Sequence, residues 1–222
     1  MRKALVLSGG GSRGAFQVGV LKGLKFKPDV IIGTSIGSLN GAYLAAGHSA
    51  EDLEHVWQYV THRTFFPLKR LIKSPSLFRT YGLKKLIASR LPGTFEDLQI
   101  PFYVNSTRVD DGKSVYFNKG KLLPPVIASC ARTPFFPPQT IGGVNYIDGG
   151  FSEYIGVRKS LELGCKKIVV LDTSRGYKYH VPRGVKIVRY APKEIIPSYD
   201  FSKTKDLIEE GLNLIRHKGC RI

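Results

Sequence analysis

The run Gly9-Gly10-Gly11-Ser12-Arg13-Gly14 limits the fold more than any other feature of the chain. A short apolar segment, Ala4–Leu7, leads straight into it. Ala15–Leu24 leads out, apolar and carrying small residues at Gly19 and Gly23, which would let a helix sit close to a sheet. Strand, glycine turn and helix is the reading these three pieces share. Pro28 and Asp29 then break the chain, and the β-branched Val30–Ile32 makes a second buried strand that ends at Gly33-Thr34-Ser35. Ile36, Leu39, Tyr43 and Ala46 recur at helical spacing, with Gly47 placed as a C-cap. Such a unit pairs its strands in parallel through a right-handed crossover. Both strands then end at one edge of the sheet, so the glycine loop and Ser35 should face a single crevice, where open α/β sheets hold ligands.

The remaining chain continues in the same style. Ala50–Arg63 reads as helix, Phe102–Thr107 and Ser114–Phe117 as strands around the turn Asp110-Asp111-Gly112, and Pro124–Ala131 as a short helix. Thr140–Ile147 contains Gly142-Gly143, a hairpin signal, and delivers Asp148 at its end. Val157–Leu163 is expected as helix and Lys167–Leu171 and Lys186–Tyr190 as strands. Asp200–His217 should be an amphipathic helix with Ile208, Leu212 and Ile215 on one face. No repeat or linker divides the 222 residues, so residues 1–222 are expected to form one α/β domain. Cys130, Cys165 and Cys220 are odd in number and far apart, which suits neither a disulfide framework nor a metal site.

Two glycine motifs carry chemistry. Gly33-Thr34-Ser35-Ile36-Gly37 fits G-x-S-x-G between a strand and a helix, the context that raises a serine hydroxyl at a sheet edge. A plain N-cap role for Ser35 competes with that reading. The loop Gly9–Gly14 can turn backbone N–H groups into a concavity at a helix start, a nest for an anion. It also satisfies G-x-G-x-x-G through Gly9, Gly11 and Gly14. That dinucleotide fingerprint needs an acidic residue roughly 20 residues on, at the end of the second strand. Thr34 and Ser35 stand there instead, and Asp29 precedes the strand, so a dinucleotide is not expected.

A nucleophilic serine needs a base. His48, His55 and His62 lie seven apart, loosely on one helical face, and suit structural roles. His180 and His217 follow in the chain order of a Ser-acid-His hydrolase, without distinctive surroundings. Asp148-Gly149-Gly150 follows an apolar strand end and precedes a tight turn, and Asp172 at another strand end is its rival. Spacing leaves both carboxylates open. Either would need burial to lift it from an ordinary pKa of about 4.

Taken in order, the three blocks resemble the patatin-like phospholipases. Gly9–Gly14 is similar to the family's G-G-G-x-R/K-G oxyanion loop, Gly33–Gly37 to its nucleophile elbow, and Asp148-Gly149-Gly150 to its D-G-G/A segment. Ala128–Ala131 and Phe135–Pro138 look like the stretch that precedes that aspartate, and the likeness runs from residue 3 to about residue 157. The resemblance implies a three-layer α/β/α fold with a mainly parallel central sheet. It implies a Ser-Asp dyad in which Ser35 attacks an ester carbonyl and Asp148, rather than Asp172, takes its proton. It places the oxyanion on the amides of Gly10 and Gly11, within the loop of Gly9, Arg13 and Gly14, and implies no metal or other cofactor. Glu153-Tyr154-Ile155-Gly156 departs from the N-N-x-P that often follows the family's aspartate, which bears on the head-group side of the site.

The charge bears on partners. Thirty-four Lys and Arg against seventeen Asp and Glu leave +17, which draws a protein toward polyanions. From Arg63 to Arg90 eight basic residues interleave with Phe65, Phe66, Leu68, Leu71, Ile72, Leu77, Phe78 and Tyr81, with no Asp or Glu. That pattern suits a lid lying on an anionic membrane surface, with a solvated basic face as the plainer reading and nucleic-acid contact weighed below both. No apolar run approaches the about 18 residues of a spanning helix, and the N-terminus lacks the features of a secretion signal. A cytoplasmic protein, peripheral at a membrane, with a lipid substrate, is the expectation. The competing function is a non-catalytic α/β module that binds phosphate or nucleic acid through the glycine loop and the basic surface.

Overall fold

The computed structural model describes residues 1–59, 90–174, 176 and 178–219. The basic segment expected as a lid therefore lies outside the described residues except for Arg90, as do the end of the helix expected over 50–63 and Cys220. The strands are β1 (Lys3–Leu7), β2 (Val30–Thr34), β3 (Phe102–Arg108), β4 (Ser114–Phe117), β5 (Gln139–Ile141), β6 (Val144–Asp148), β7 (Lys167–Leu171) and β8 (Lys186–Tyr190). The helices are α1 (Gly14–Gly23), α2 (Ile36–Ala45), α3 (Ala50–Tyr59), α4 (Leu123–Ser129), α5 (Val157–Glu162) and α6 (Thr204–Lys218). Among the described residues they build one mixed sheet, ordered β5-β6-β3-β2-β1-β7-β8, with β4 paired to β3. Strands β3, β2, β1, β7 and β8 run parallel, while β4, β5 and β6 form an antiparallel wing.

The apolar runs of β1, β2 and β7 are continuous because both faces of the parallel core are covered. Leu5, Leu7, Ile31, Val169 and Leu171 face one layer, packed with residues of α1, α2, α3, α4 and α6. Their neighbours Ala4, Val6, Val30, Ile32, Ile168 and Val170 face the other, against Ile155 and Val157 at the start of α5. The period-2 alternation of a strand thus sorts one apolar run into two cores, giving the α/β/α layering that the sequence led us to expect. Gly19 and Gly23 serve a different neighbour from the one expected. They face Ile208 and Ile215 of α6 rather than the sheet, so their lack of side chains brings two helices together.

Register then sets the height of every loop at the sheet edge. Leu7 lies beside Gly33 on one side and Leu171 on the other, Thr34 lies beside Asn105, and Ser106 beside Asp148. Counting on by one or two residues, Gly9, Ser35 and Thr173 stand level, with Asp148 at the same height across β3. The antiparallel course of β6 is what brings the end of the hairpin, turning at Gly142-Gly143, up to this edge.

Candidate active site

Ser35 joins β2 to α2 with φ 54° and ψ −127°, and among the described residues no other non-glycine residue has positive φ. Such backbone costs on the order of 1–3 kcal/mol and persists only where its surroundings hold it. Here the hold is visible. The Ser35 amide donates to Ser129 Oγ at 2.8 Å, and Ser129 Oγ donates to the Asn105 carbonyl at 2.6 Å. Ser38, one turn into α2, donates its hydroxyl to the Ser35 carbonyl at 2.6 Å. Gly37 lets α2 start directly above β1, since a Cβ there would lie 2.3 Å from the Leu7 carbonyl oxygen. Ser35 does not cap its helix with its side chain, which removes the plain N-cap role.

The Ser35 hydroxyl donates instead to Asp148 Oδ2 at 2.6 Å. Asp148 is 3% exposed. Its Oδ1 accepts from the Gly150 amide at 2.7 Å, and its carbonyl accepts from Thr107 Oγ1 at 2.9 Å. Burial pushes the Asp148 carboxyl up from its ordinary pKa, outweighing the hydrogen bonds from Ser35 and Gly150 and the attraction of Arg132. Gly149 closes the turn against β3, where Asn105 Nδ2 reaches the Gly149 and Glu153 carbonyls at 3.1 and 2.7 Å. Ser35 and Asp148 are therefore fixed to the same strand, β3, through Ser129, Asn105 and Thr107.

The glycine loop faces the pair. A Cβ on Gly9 would sit 3.3 Å from that of Ser35. Within the loop the amides divide into two sets. Gly9 donates to the Tyr154 carbonyl at 3.3 Å, Ser12 to Ser198 at 2.7 Å and Arg13 to Gly10 at 3.2 Å, while Gly14 donates back to the Gly11 and Ser12 carbonyls of the loop. Among the described residues, the Gly10 and Gly11 amides have no protein acceptor. Neither position admits a side chain. A Cβ on Gly10 would meet Thr173 Oγ1 at 2.0 Å, and one on Gly11 would meet the Ser198 carbonyl oxygen at 2.2 Å, at φ 58°. Arg13 is tied to the loop and to Tyr154, its Nε donating to the Gly10 carbonyl and its Nη2 to Tyr154 Oη, both at 3.1 Å.

Tyr154 answers what stands where the family pattern departs. Its carbonyl holds the Gly9 amide, its ring lies against Gly9 and Gly150, and its hydroxyl takes the Arg13 guanidinium. Burial pushes its phenol above the ordinary range, so it stays protonated. Glu153 is buried and paired with Arg158, whose Nη2 lies at 2.5 Å. The roles of Ser129, Asn105, Thr107 and Tyr154 escaped the reading of the chain. Ser129, Asn105 and Thr107 act on backbone groups, which any serine, asparagine or threonine can do.

The rival groups are placed elsewhere. Asp172 is fully buried and bound to Arg189 Nε at 2.6 Å and to the Ser174 amide at 2.7 Å. His48 lies in the loop after α2, with Nε2 at 2.7 Å from the Arg90 carbonyl, so it does not share a helical face with His55, which is exposed on α3; His62 lies outside the described residues. His217 is exposed, its Nδ1 2.7 Å from the Asn213 carbonyl. His180 is exposed and lines a surface cavity of about 890 Å³ with Ser152 and Glu153. Asp29 accepts from the Lys3 amide at the far end of β1, as expected of a residue unfit to bind ribose.

A strained serine on a strand-to-helix turn, a buried carboxylate on its hydroxyl and, among the described residues, two amides without an acceptor are features that the class of serine hydrolases built on an α/β sheet also has. Comparison with known proteins narrows that class. Residues 5–158 match the family model described as patatin-like phospholipase. Over 198 residues the chain is 32% identical to YjjU of Escherichia coli, an uncharacterised protein, spanning 83% of this chain and 56% of that one. It is 29% identical over 185 residues to the lysophospholipase nte1 of Aspergillus terreus, spanning 76% of this chain and 12% of that one. VipD of Legionella pneumophila shares the fold, with a TM-score of 0.57 at 11% identity, covering 97% of this chain and 67% of that structure. The chain belongs to the patatin-like phospholipase family. It spans about half the length of the bacterial relative and about an eighth of the fungal one.

Proposed function

We propose that the protein is a serine lipid acyl hydrolase of the phospholipase A or lysophospholipase type, acting through Ser35 and Asp148. The 2.6 Å hydrogen bond from a positive-φ serine to a buried carboxylate carries this reading. Asp148 starts ionised and takes the Ser35 proton as Oγ attacks the ester carbonyl carbon. The carbonyl electron pair moves onto oxygen, and the Gly10 and Gly11 amides receive that oxyanion. Collapse breaks the bond to the alcohol, which leaves with the proton from Asp148, and the acyl group stays on Ser35. Water then attacks with Asp148 again as base, and the fatty acid departs as Ser35 regains its proton. A base lifted by burial is better matched to this work than an ordinary aspartate.

The substrate is a lipid carboxylic ester, a reading supported by the family and by the fungal relative's name. Residues 1–222 act as one domain that meets its substrate at an anionic lipid surface, which the net charge of +17 favours. No helix among the described residues is long and apolar enough to cross a membrane. The protein should sediment with anionic vesicles and be released by high salt.

A long-chain alkyl fluorophosphonate, followed by mass spectrometry of the labelled peptide, tests the catalytic reading. The tag is expected on Ser35 and should be lost in Ser35→Ala. If no serine of the folded protein reacts, with or without anionic vesicles, the hydrolase reading is overturned.

A further inference from the structure

We infer that Thr173, together with Ser8, is a positioning residue for the oxyanion loop, holding the Gly9 carbonyl so that the Gly10 amide faces the reacting oxygen. The inference rests on the proposed roles of Ser35 and of the Gly10 amide. A trans peptide sets its C=O and the following N–H in one plane and pointing in opposite directions. Whatever fixes the Gly9 carbonyl therefore aims the Gly10 N–H.

Two hydroxyls fix it. Thr173 Oγ1 donates to the Gly9 carbonyl in a short hydrogen bond, and Ser8 Oγ donates to the same oxygen at 3.1 Å. The pair is itself locked, because the Thr173 amide donates to Ser8 Oγ at 2.8 Å and the two hydroxyl oxygens lie 3.3 Å apart. Both residues are fully buried, where a hydrogen bond has a fixed direction and no water competes for it. Behind them, Gln17 Nε2 holds the Ser8 carbonyl at 2.9 Å and the Leu171 carbonyl at 3.2 Å, tying the ends of β1 and β7 together. The contact with the loop is direct, since Thr173 Oγ1 occupies the space that a Cβ on Gly10 would need.

The arrangement follows from register. Leu7 pairs with Leu171, so Gly9 and Thr173, each two residues on, come level at the sheet edge. Thr173 lies beyond residues 5–158, the part of the chain that matches the family model. The preceding residue, Asp172, is committed to Arg189, which anchors the β7 end and leaves Thr173 facing the loop.

The test separates aiming from mere support. Thr173→Val keeps the shape and removes the hydroxyl. Turnover of p-nitrophenyl octanoate is expected to fall about tenfold in kcat with KM within twofold, less than the loss when an oxyanion donor is removed outright. Affinity for a long-chain alkyl trifluoromethyl ketone should weaken by a similar factor. Its carbonyl carbon bonds to Ser35 Oγ, the serine proton passes to Asp148, and the adduct's oxyanion sits on the loop. Thr173→Ser, which restores the donor, should recover both. The inference is overturned if Thr173→Val leaves kcat and ketone affinity within twofold, if only KM changes, or if Thr173→Ser fails to rescue. Should Thr173→Val not fold, Ser8→Ala decides on the same two readouts. Ser35→Ala separates this inference from its foundation: if it hydrolyses the ester as the native protein does, the dyad reading falls. If Ser35→Ala is inactive while Thr173→Val and Ser8→Ala are unimpaired, only the positioning role falls.

Discussion

Asp148 and Asp172 are carboxylates in similar settings with different partners. Each stands at the C-terminal end of a strand, each is buried, and each accepts a backbone amide two residues on, from Gly150 and Ser174. Asp172 adds a guanidinium, Arg189, at 2.6 Å. Asp148 adds a hydroxyl, Ser35, at the same distance. Its nearby cation, Arg132, is engaged over the Phe151 ring at 4.5 Å and acts on Asp148 only at longer range. Burial, with no cation touching the carboxylate, pushes Asp148 above its ordinary pKa. Asp172 is held as an ion pair that fastens β7 to β8, while Asp148 keeps only dipoles and rises in proton affinity. The partner, more than the depth, separates a structural carboxylate from one available as a base.

That contrast can be broken most directly at Asp148. Asp148→Asn should cut kcat by about 10³-fold or more, the scale seen when one member of a catalytic unit is lost, with the circular dichroism spectrum unchanged. Activity within tenfold of native would place the base elsewhere. The acid limb of the kcat profile gives the same contrast a second form. Protonated Asp148 cannot take the Ser35 proton, so turnover is lost as pH falls through its raised pKa. The midpoint should lie above the about 3.9 of an ordinary aspartate, and a limb at or below that value would contradict the effect of burial. Next in size is Ser129→Ala, which frees the Ser35 amide that keeps the elbow bent. A loss of about tenfold in kcat, about 1.4 kcal/mol of barrier, is expected from steady-state assays.

Asp172→Asn should do the reverse of Asp148→Asn. It removes the charge partner of Arg189, which is part exposed, and should destabilise the fold by about 1–3 kcal/mol in urea titration while leaving kcat within about threefold. Equal damage to activity at both aspartates would erase the distinction. The smallest effect is expected from His180→Ala, within about twofold on kcat, because the exposed ring lines a cavity to which Ser35 does not contribute.

The sequence made the tight glycine turns at the sheet edge more legible than the contacts that hold them. The loop Gly9–Gly14, the elbow and Asp148-Gly149-Gly150 can be read because backbone that must bend sharply or lie against another chain excludes most side chains. The strands read correctly for a similar reason, since β-branched runs bounded by glycine have few other uses. Asp148 and Asp172 could not be separated by spacing, because their difference is Arg189, which reaches Asp172 only once β8 lies beside β7. Ser129, Asn105 and Tyr154 were silent for the same cause, their partners being carbonyls and amides brought near by sheet order. The three histidines spaced by seven looked like a helical face, but α2 ends at Ala45 and α3 starts at Ala50, so His48 falls between helices.

The strand order has a consequence for synthesis of the chain. β1 is made first but sits between β2 and β7, whose residues follow it by 26 and 164 positions, as the pairs Ala4–Val30 and Lys3–Lys167 show. A growing chain that has released Ser35 and even Asp148 still has an open edge along β1, and its glycine loop has no Ser8–Thr173 clasp behind it. Contacts of such separation close late in folding. A nascent chain therefore lacks the clasp behind its glycine loop until residues 167–173 have emerged and docked beside β1.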